Sequence, residues 1–264
     1  MRVVHRISVT SSKAAPLSAL GLQVVAAGSL LVSFEVDESD PSWAVVEAWV
    51  RSHGAVDVPM TRFSAGELDG ASWLELVADW HRGYPQPEND FGYLQVTFDD
   101  ACRVCGGGRR QVEAFQLKDE PKWGRRNVLQ LNWVFDEFFV TPELWSLVFE
   151  PIGVTARPVV DRKGSVLQTV VQLVVDAEVD VDTDGLACHV CDVCGQVKFP
   201  VTTRGFSPEP RDLSVSAPLA RSRQWFGSGA QASREVVVSQ ELRRALVAAG
   251  INGASFRPCG PLLS

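Results

Sequence analysis

Apolar positions in the first third of the chain follow either the two-residue rhythm of strands or the three-to-four-residue rhythm of helices. Val3 to Val9 reads as a strand, Ser11 to Pro16 as a polar turn region, and Leu22 to Val25 and Ser29 to Val36 as further strands around Ala26-Ala27-Gly28. A helix follows, with Asp40 at the N-cap, Pro41 at the first helical position, Trp43, Val46 and Val50 on one face, and Gly54 as its stop. Ser64 and Glu67 have the spacing of a capping box, which predicts a short helix. The spacing of Trp73, Leu76, Val77 and Trp80 predicts a second helix ending near His81. Gly83 to Asp90 is a loop, because Pro85 and Pro87 remove backbone donors and fix φ.

Further on, Phe91 to Phe98 reads as a strand and Gln111 to Leu117 as the strand returning beside it. Gln130 to Val140 is the most apolar and aromatic block, and it runs into Thr141-Pro142, an N-cap and first-turn pair for a helix that Gly153 ends. Residues 159–160 and 166–175 form a hairpin about the turn Asp161 to Gly164. Asp176, Glu178, Asp180, Asp182 and Asp184 then fall on every second residue, as on the outer face of an edge strand, where repeated charge blocks unwanted pairing. Near the end come a strand over Glu235 to Val238, an N-cap at Ser239, and a helix over Gln240 to Ala249 with Leu242, Leu246 and Val247 inward. Gly250 stops it, and a last strand covers Ala254 to Arg257. The expected class is α+β, mostly antiparallel sheet with about four helices. An N-terminal α/β lobe is expected over 1–82 and the main domain over 83–264, with one continuous domain as the other arrangement.

Composition narrows the function. The chain has 264 residues, 45% hydrophobic and 22% charged, enough for a proper core. No apolar run reaches membrane-spanning length and the first residues lack a signal-peptide h-region, so a cytoplasmic location is expected. A net charge of −7 argues against broad binding to a phosphate backbone, which needs a basic face. An acidic surface suits a basic protein partner or plain solubility.

The most specific signal is a pair of cysteine signatures, Cys102-Arg-Val-Cys105-Gly106 and Cys191-Asp-Val-Cys194-Gly195. Two thiols three positions apart, followed by a glycine, let one tight turn aim both sulfurs at a single point. Two such halves make a treble- or ribbon-like four-cysteine knuckle pair for Zn²⁺, a closed structural site with no position left for water. Because 85 residues separate Cys105 from Cys191, one shared metal would clip a long excursion within a single domain. A disulfide within each pair and a redox dithiol are the rival readings. Cys188 and His189 offer an overlapping alternative to one ligand of the second pair, and Cys259 reads as a small buried hydrophobe.

Other candidates are weaker. Gly106-Gly107-Gly108 lacks the P-loop pattern and reads as the tip of a knuckle hairpin. Arg109, Arg110, Lys118, Lys122, Arg125 and Arg126 form a local basic island, and the adjacent carboxylates Asp136 and Glu137 fit pairing with arginine better than acid–base work. With four histidines and no nucleophile elbow, P-loop or HExxH arrangement, the chain is not expected to be an enzyme.

The two CXXCG signatures, the block Leu131-Asn-Trp-Val-Phe-Asp-Glu137, and the ending Val238-Ser-Gln-Glu-Leu-Arg-Arg244 with Gly253-Ala-Ser-Phe-Arg-Pro258 resemble a bacterial double-CXXCG protein family. The resemblance covers most of residues 84 to 259. Some relatives in that family are described as immunity proteins that neutralise a cognate polymorphic toxin. The resemblance therefore implies zinc held by Cys102, Cys105, Cys191 and Cys194, and stoichiometric binding to a protein partner such as a toxin. A zinc-ribbon nucleic-acid-binding or regulatory module using the basic island is the alternative.

Overall fold

A computed structural model describes residues 1–13, 22, 25–26, 30–211 and 217–262. Parts of the expected turn at Ser11 to Pro16 and of the strand candidates at Leu22 to Val25 and Ser29 to Val36 lie outside the described residues. The chain divides into two compact units, Met1–Glu67 with Thr202–Phe206, and Leu68–Val201 with Ser207–Leu262. Among the described residues no helix is long and apolar enough to cross a membrane.

In the first unit, strands β1 (Arg2–Thr10), β2 (Val25–Ala26), β3 (Leu31–Asp37) and β4 (Val56–Arg62) form an antiparallel sheet in the order β2-β3-β1-β4. Helix α1 (Trp43–His53) connects β3 to β4 and buries Val46 and Val50 against Ile7, Val9, Phe34 and Val36. Asp40 accepts from the Ser42 N–H at 2.8 Å just ahead of α1, so Pro41 precedes the helix rather than opening it, and Gly54 ends it in the left-handed region at φ 58°. The buried His5 joins strands through its ring, with Nδ1 2.9 Å from Asp57 and Nε2 2.9 Å from Glu38. Arg204, on the returning segment, meets the same Glu38 at 2.8 Å.

Helix α2 (Ala65–Gly70) opens with the expected capping box, Ser64 N–H to Glu67 at 2.8 Å and Glu67 N–H to Ser64 Oγ at 3.3 Å. The second unit then begins with β5 (Trp73–Ala78), α3 (Tyr93–Thr97), β6 (Phe98–Asp99), β7 (Arg110–Gln111) and β8 (Gln116–Leu117). Next come β9 (Val128–Leu131), β10 (Val134–Val140), α4 (Pro142–Leu144), β11 (Ala156–Asp161) and β12 (Val166–Leu173). The remaining elements are β13 (Glu178–Val179), β14 (His189–Val190), β15 (Val197–Phe199), β16 (Ser207–Pro208), β17 (Leu219–Ser222), β18 (Trp225–Phe226), β19 (Val236–Ser239), α5 (Gln240–Ala248) and β20 (Ala254–Gly260). The described residues thus hold five α-helices among mostly antiparallel sheets, the α+β character expected from the pattern.

A six-stranded sheet, β13-β17-β19-β5-β20-β16, and a five-stranded one, β8-β11-β12-β10-β9, share an apolar core. Leu74, Leu76, Val236 and Val238 from the first meet Phe138, Val140 and Leu173 from the second, with Leu242 and Leu246 of α5 closing the side. Each such fully buried side chain contributes roughly 1.5–3 kcal/mol relative to exposure. Ser239 caps α5 by accepting from Leu242 N–H at 3.2 Å, as expected, but Val247 is exposed rather than inward. On the other face of the five-stranded sheet, Phe115, Leu129, Leu131, Phe139 and Val159 pack with Tyr93, Leu94 and Phe98.

Two expected elements change type. Trp73–Ala78 is a strand, with Leu74, Leu76 and Ala78 buried and Trp73, Glu75 and Val77 half-buried. Its run of apolar residues suits either period, and β19 and β20, pairing with it on both sides, decide for extended backbone. The boundary expected between residues 82 and 83 therefore falls within the second unit, which contains this strand. Phe91 to Phe98 is mostly helix, since Tyr93, Leu94 and Thr97 share one buried helical face and only Phe98–Asp99 pairs as strand. The alternating acids reach a sheet edge as expected: β13 lies at the end of the six-stranded sheet, and Glu178 and Asp180 pair with Arg223, Asp182 and Asp184 with Arg211.

Candidate metal centre

Each cysteine signature is the loop of a very short hairpin. Phe98 and Asp99 pair with Gln111 and Arg110 around the first signature, and His189 and Val190 pair with Lys198 and Val197 around the second. Inside both loops the backbone repeats one pattern. The Cys102 N–H donates to Gly107 O at 2.9 Å and the Gly106 N–H to Cys102 O at 2.7 Å. The Cys191 N–H donates to Gln196 O at 3.0 Å and the Gly195 N–H to Cys191 O at 2.8 Å. Gly106 and Gly195 close the two turns at φ 65° and 74°, a left-handed backbone that glycine adopts without a Cβ penalty.

The sulfurs of Cys102, Cys105, Cys191 and Cys194 all lie within 4.8 Å of one another, a donor set able to hold a metal ion. Cys105 Sγ and Cys194 Sγ, one from each hairpin, are 3.5 Å apart, well beyond the ~2.05 Å of a sulfur–sulfur bond. Four sulfurs around Zn²⁺ at ~2.3 Å would be separated by about 3.8 Å, so the spread fits one ion. Cys105 and Cys191 are buried, Cys102 is half-buried and Cys194 exposed. Cys188, exposed in the same stretch, does not belong to the convergent set, nor does the exposed His189.

Backbone donors and crowding pull the thiols of Cys102, Cys191 and Cys194 in opposite directions. N–H groups of Cys194 and Val193 draw the Cys191 thiol down to about 6, and those of Val104 and Cys105 lower Cys102. Cys194 is pushed up to about 12: the Gln196 N–H favours its thiolate, but desolvation and the sulfurs of Cys105, Cys102 and Cys191 outweigh that donor. Adjacent thiolates repel, so full ionisation of such a set requires a cation among them.

Lys198 supports the cluster from behind, and nothing in the sequence singled it out. It is 3% exposed, and its ammonium donates to Cys105 O at 2.7 Å and to Gly229 O at 2.9 Å, tying the first hairpin loop to the 229–231 turn. A Cβ on Gly106 would stand 2.8 Å from Ala230 O, and one on Gly107 would stand 2.8 Å from Gln196 Cγ. The glycine run thus serves close approach of neighbouring segments on both sides. Such contacts leave no local signature, because residues 196, 198 and 229–231 are remote from residue 106 in sequence.

The remaining candidates separate. Arg109 is not part of an exposed basic island; its side chain is 5% exposed and meets Asp136 at 2.6 Å, between the rings of Phe98 and Trp225. Burial opposes ionisation of Asp136, but Arg109, Arg221 and Arg234 hold its carboxyl below the usual value. Glu137 takes both terminal nitrogens of Arg221 at 2.8 and 3.0 Å, so both carboxylates of the aromatic block pair with arginine. Cys259 packs against Val179, Ala220 and Phe226, and burial raises its thiol well above the usual range. No protein-family model matches the chain, and no curated protein matches it either.

Proposed function

We propose that this chain is a zinc-stabilised cytoplasmic binding protein, an immunity protein that neutralises a cognate toxin by stoichiometric contact and performs no chemistry itself. The observation that carries the zinc half is the convergence of four sulfurs from two hairpins within 4.8 Å. Such a donor set fills a tetrahedral coordination sphere, so the ion would act in folding rather than as a Lewis acid toward substrate. Four thiolates around a dication leave two net negative charges, which the buried Lys198 and the N–H of Gly107, 3.4 Å from Cys105 Sγ, are placed to offset. The toxin-binding half rests on the resemblance of the signatures and the C-terminal pattern to double-CXXCG immunity proteins. The burial of Arg109 weakens the nucleic-acid alternative, since it removes one member of the basic island.

The test has two parts. Metal analysis of the purified chain is expected to return one zinc per molecule; a free-thiol count of six with no metal would remove the scaffold. Tagged chain recovered from its native host is expected to carry one stoichiometric partner, and co-expression is expected to restore growth to cells making that partner. Failure to rescue growth, together with DNA or RNA binding that falls steeply with salt, would replace this reading with the regulatory one.

A further inference from the structure

Within the second unit lies a cavity of about 310 Å³ walled by five arginines, Arg109, Arg110, Arg157, Arg221 and Arg234, and by three carboxylates, Glu137, Asp176 and Glu178. That is an unusual concentration of positive charge for a protein of net charge −7. Its floor is rigid. Glu137 grips Arg221 through both oxygens and accepts from Gln172 Nε2 at 2.9 Å, while Gln172 and Gln111 exchange amide hydrogen bonds at 2.6 and 2.8 Å.

The donors of this wall exceed its acceptors. Arg109 is engaged by Asp136, which lies behind the wall, and Arg234 by Glu178 at 2.6 Å. Arg221, with only 8% of its side chain exposed, still has a buried Nε–H without a hydrogen-bond partner, as does Arg234. Arg157, half-buried on β11, makes no ion pair or side-chain hydrogen bond among the described residues. Those two Nε–H groups are closed off from the cavity itself, so the guanidinium of this wall left without a counter-charge is Arg157, and an anion in the cavity would supply one. Burial and the like charge of Arg221 both depress Arg234, which places these two guanidiniums in one poorly solvated space.

We infer that this cavity is a binding site for a phosphate group, free or esterified to a small body, with Arg157, Arg221 and Arg234 as its cationic contacts. The three come from different segments, β11, β17 and the approach to β19, and so converge from different directions. A tetrahedral oxyanion offers acceptors in as many directions, whereas a carboxylate offers two oxygens in one plane. The volume, at the lower end of ligand pockets, admits the headgroup together with a small organic body. Asp176 and Glu178 at the wall disfavour a ligand carrying several phosphates.

Calorimetric titration of the metal-loaded full chain with inorganic phosphate and with glycerol 3-phosphate, against chloride at matched ionic strength, tests the site. Saturable binding at or below about 1 mM is expected for at least one of the two, and the tighter of them distinguishes free from esterified phosphate. Arg157→Gln is expected to weaken it about ten-fold with unchanged melting of the ligand-free protein, because Arg157 holds nothing in the fold. Arg6→Gln, the same charge change on the exposed face of β1, is expected to leave affinity unaltered. No saturation by about 10 mM of either probe, or equal weakening by both variants, overturns the assignment.

Discussion

Between Cys102 and Gly107, and again between Cys191 and Gln196, the backbone makes the same two hydrogen bonds and closes on a left-handed glycine, yet the surroundings of the two loops differ. The first is enclosed: Cys105 is 4% exposed, Gly106 abuts Ala230 O, and Lys198 clamps the Cys105 carbonyl. The second is open, with Cys194 exposed and free space where a Cβ on Gly195 would stand. Identical local geometry thus serves two different jobs. One loop is built into the packing of the second unit at its second cysteine and glycines, whereas the other buries Cys191 but leaves Cys194 and Gly195 on the solvent side of the sulfur cluster.

The strongest test of that asymmetry is ligand removal. Cys105→Ser is expected to release metal and lower the melting temperature by on the order of 10 °C, followed by calorimetry with metal content measured in parallel. Metal loss with unchanged melting would mean that the ion is not structural. Next in size is the pair of glycine variants. Gly106→Ala combines a positive φ with a 2.8 Å approach to backbone and is expected to cost about 3 kcal/mol, against about 1 kcal/mol for Gly195→Ala, which meets only the φ penalty. Equal losses in urea unfolding would erase the distinction between the loops.

A smaller effect is expected from Lys198→Met, which leaves the Cys105 and Gly229 carbonyls without their buried donor. It should cost about 2 kcal/mol in the same unfolding experiment while metal stoichiometry is kept. Loss of metal in that variant would give the ammonium a larger part in offsetting thiolate charge. The smallest is Cys188→Ser. The side chain is exposed and outside the convergent set, so stability should stay within about 0.5 kcal/mol and metal content unchanged. A fall in metal content there would move the ligand set toward the overlapping Cys188 pair.

Legibility followed the range of the interaction. The capping box at Ser64 and Glu67, the cap and stop of α5, and the hairpin about Asp161 to Gly164 are contacts among near neighbours, and their residue types announce them. Trp73–Ala78 and Phe91 to Phe98 failed for the opposite reason. Their apolar residues fit either period, and for the first the choice lay with residues 254–258, some 180 positions away in the chain. The turn of each cysteine loop was likewise readable from its own few residues, while the enclosure of the first by Lys198 and Ala230 was hidden.

By itself the sequence determined the units that close locally: two CXXCG turns with glycine at the left-handed position, the helix caps, and the placing of acids along a sheet edge. Tertiary structure alone decided how closely the four expected sulfurs meet, which arginines Asp136 and Glu137 face, and that Lys198 stands behind the cluster. The reason is physical. A turn is set by the φ preferences and hydrogen-bond capacity of a few adjacent residues, whereas the meeting of residues 105 and 194 depends on where the long excursion between them returns the second hairpin, a property no short stretch carries.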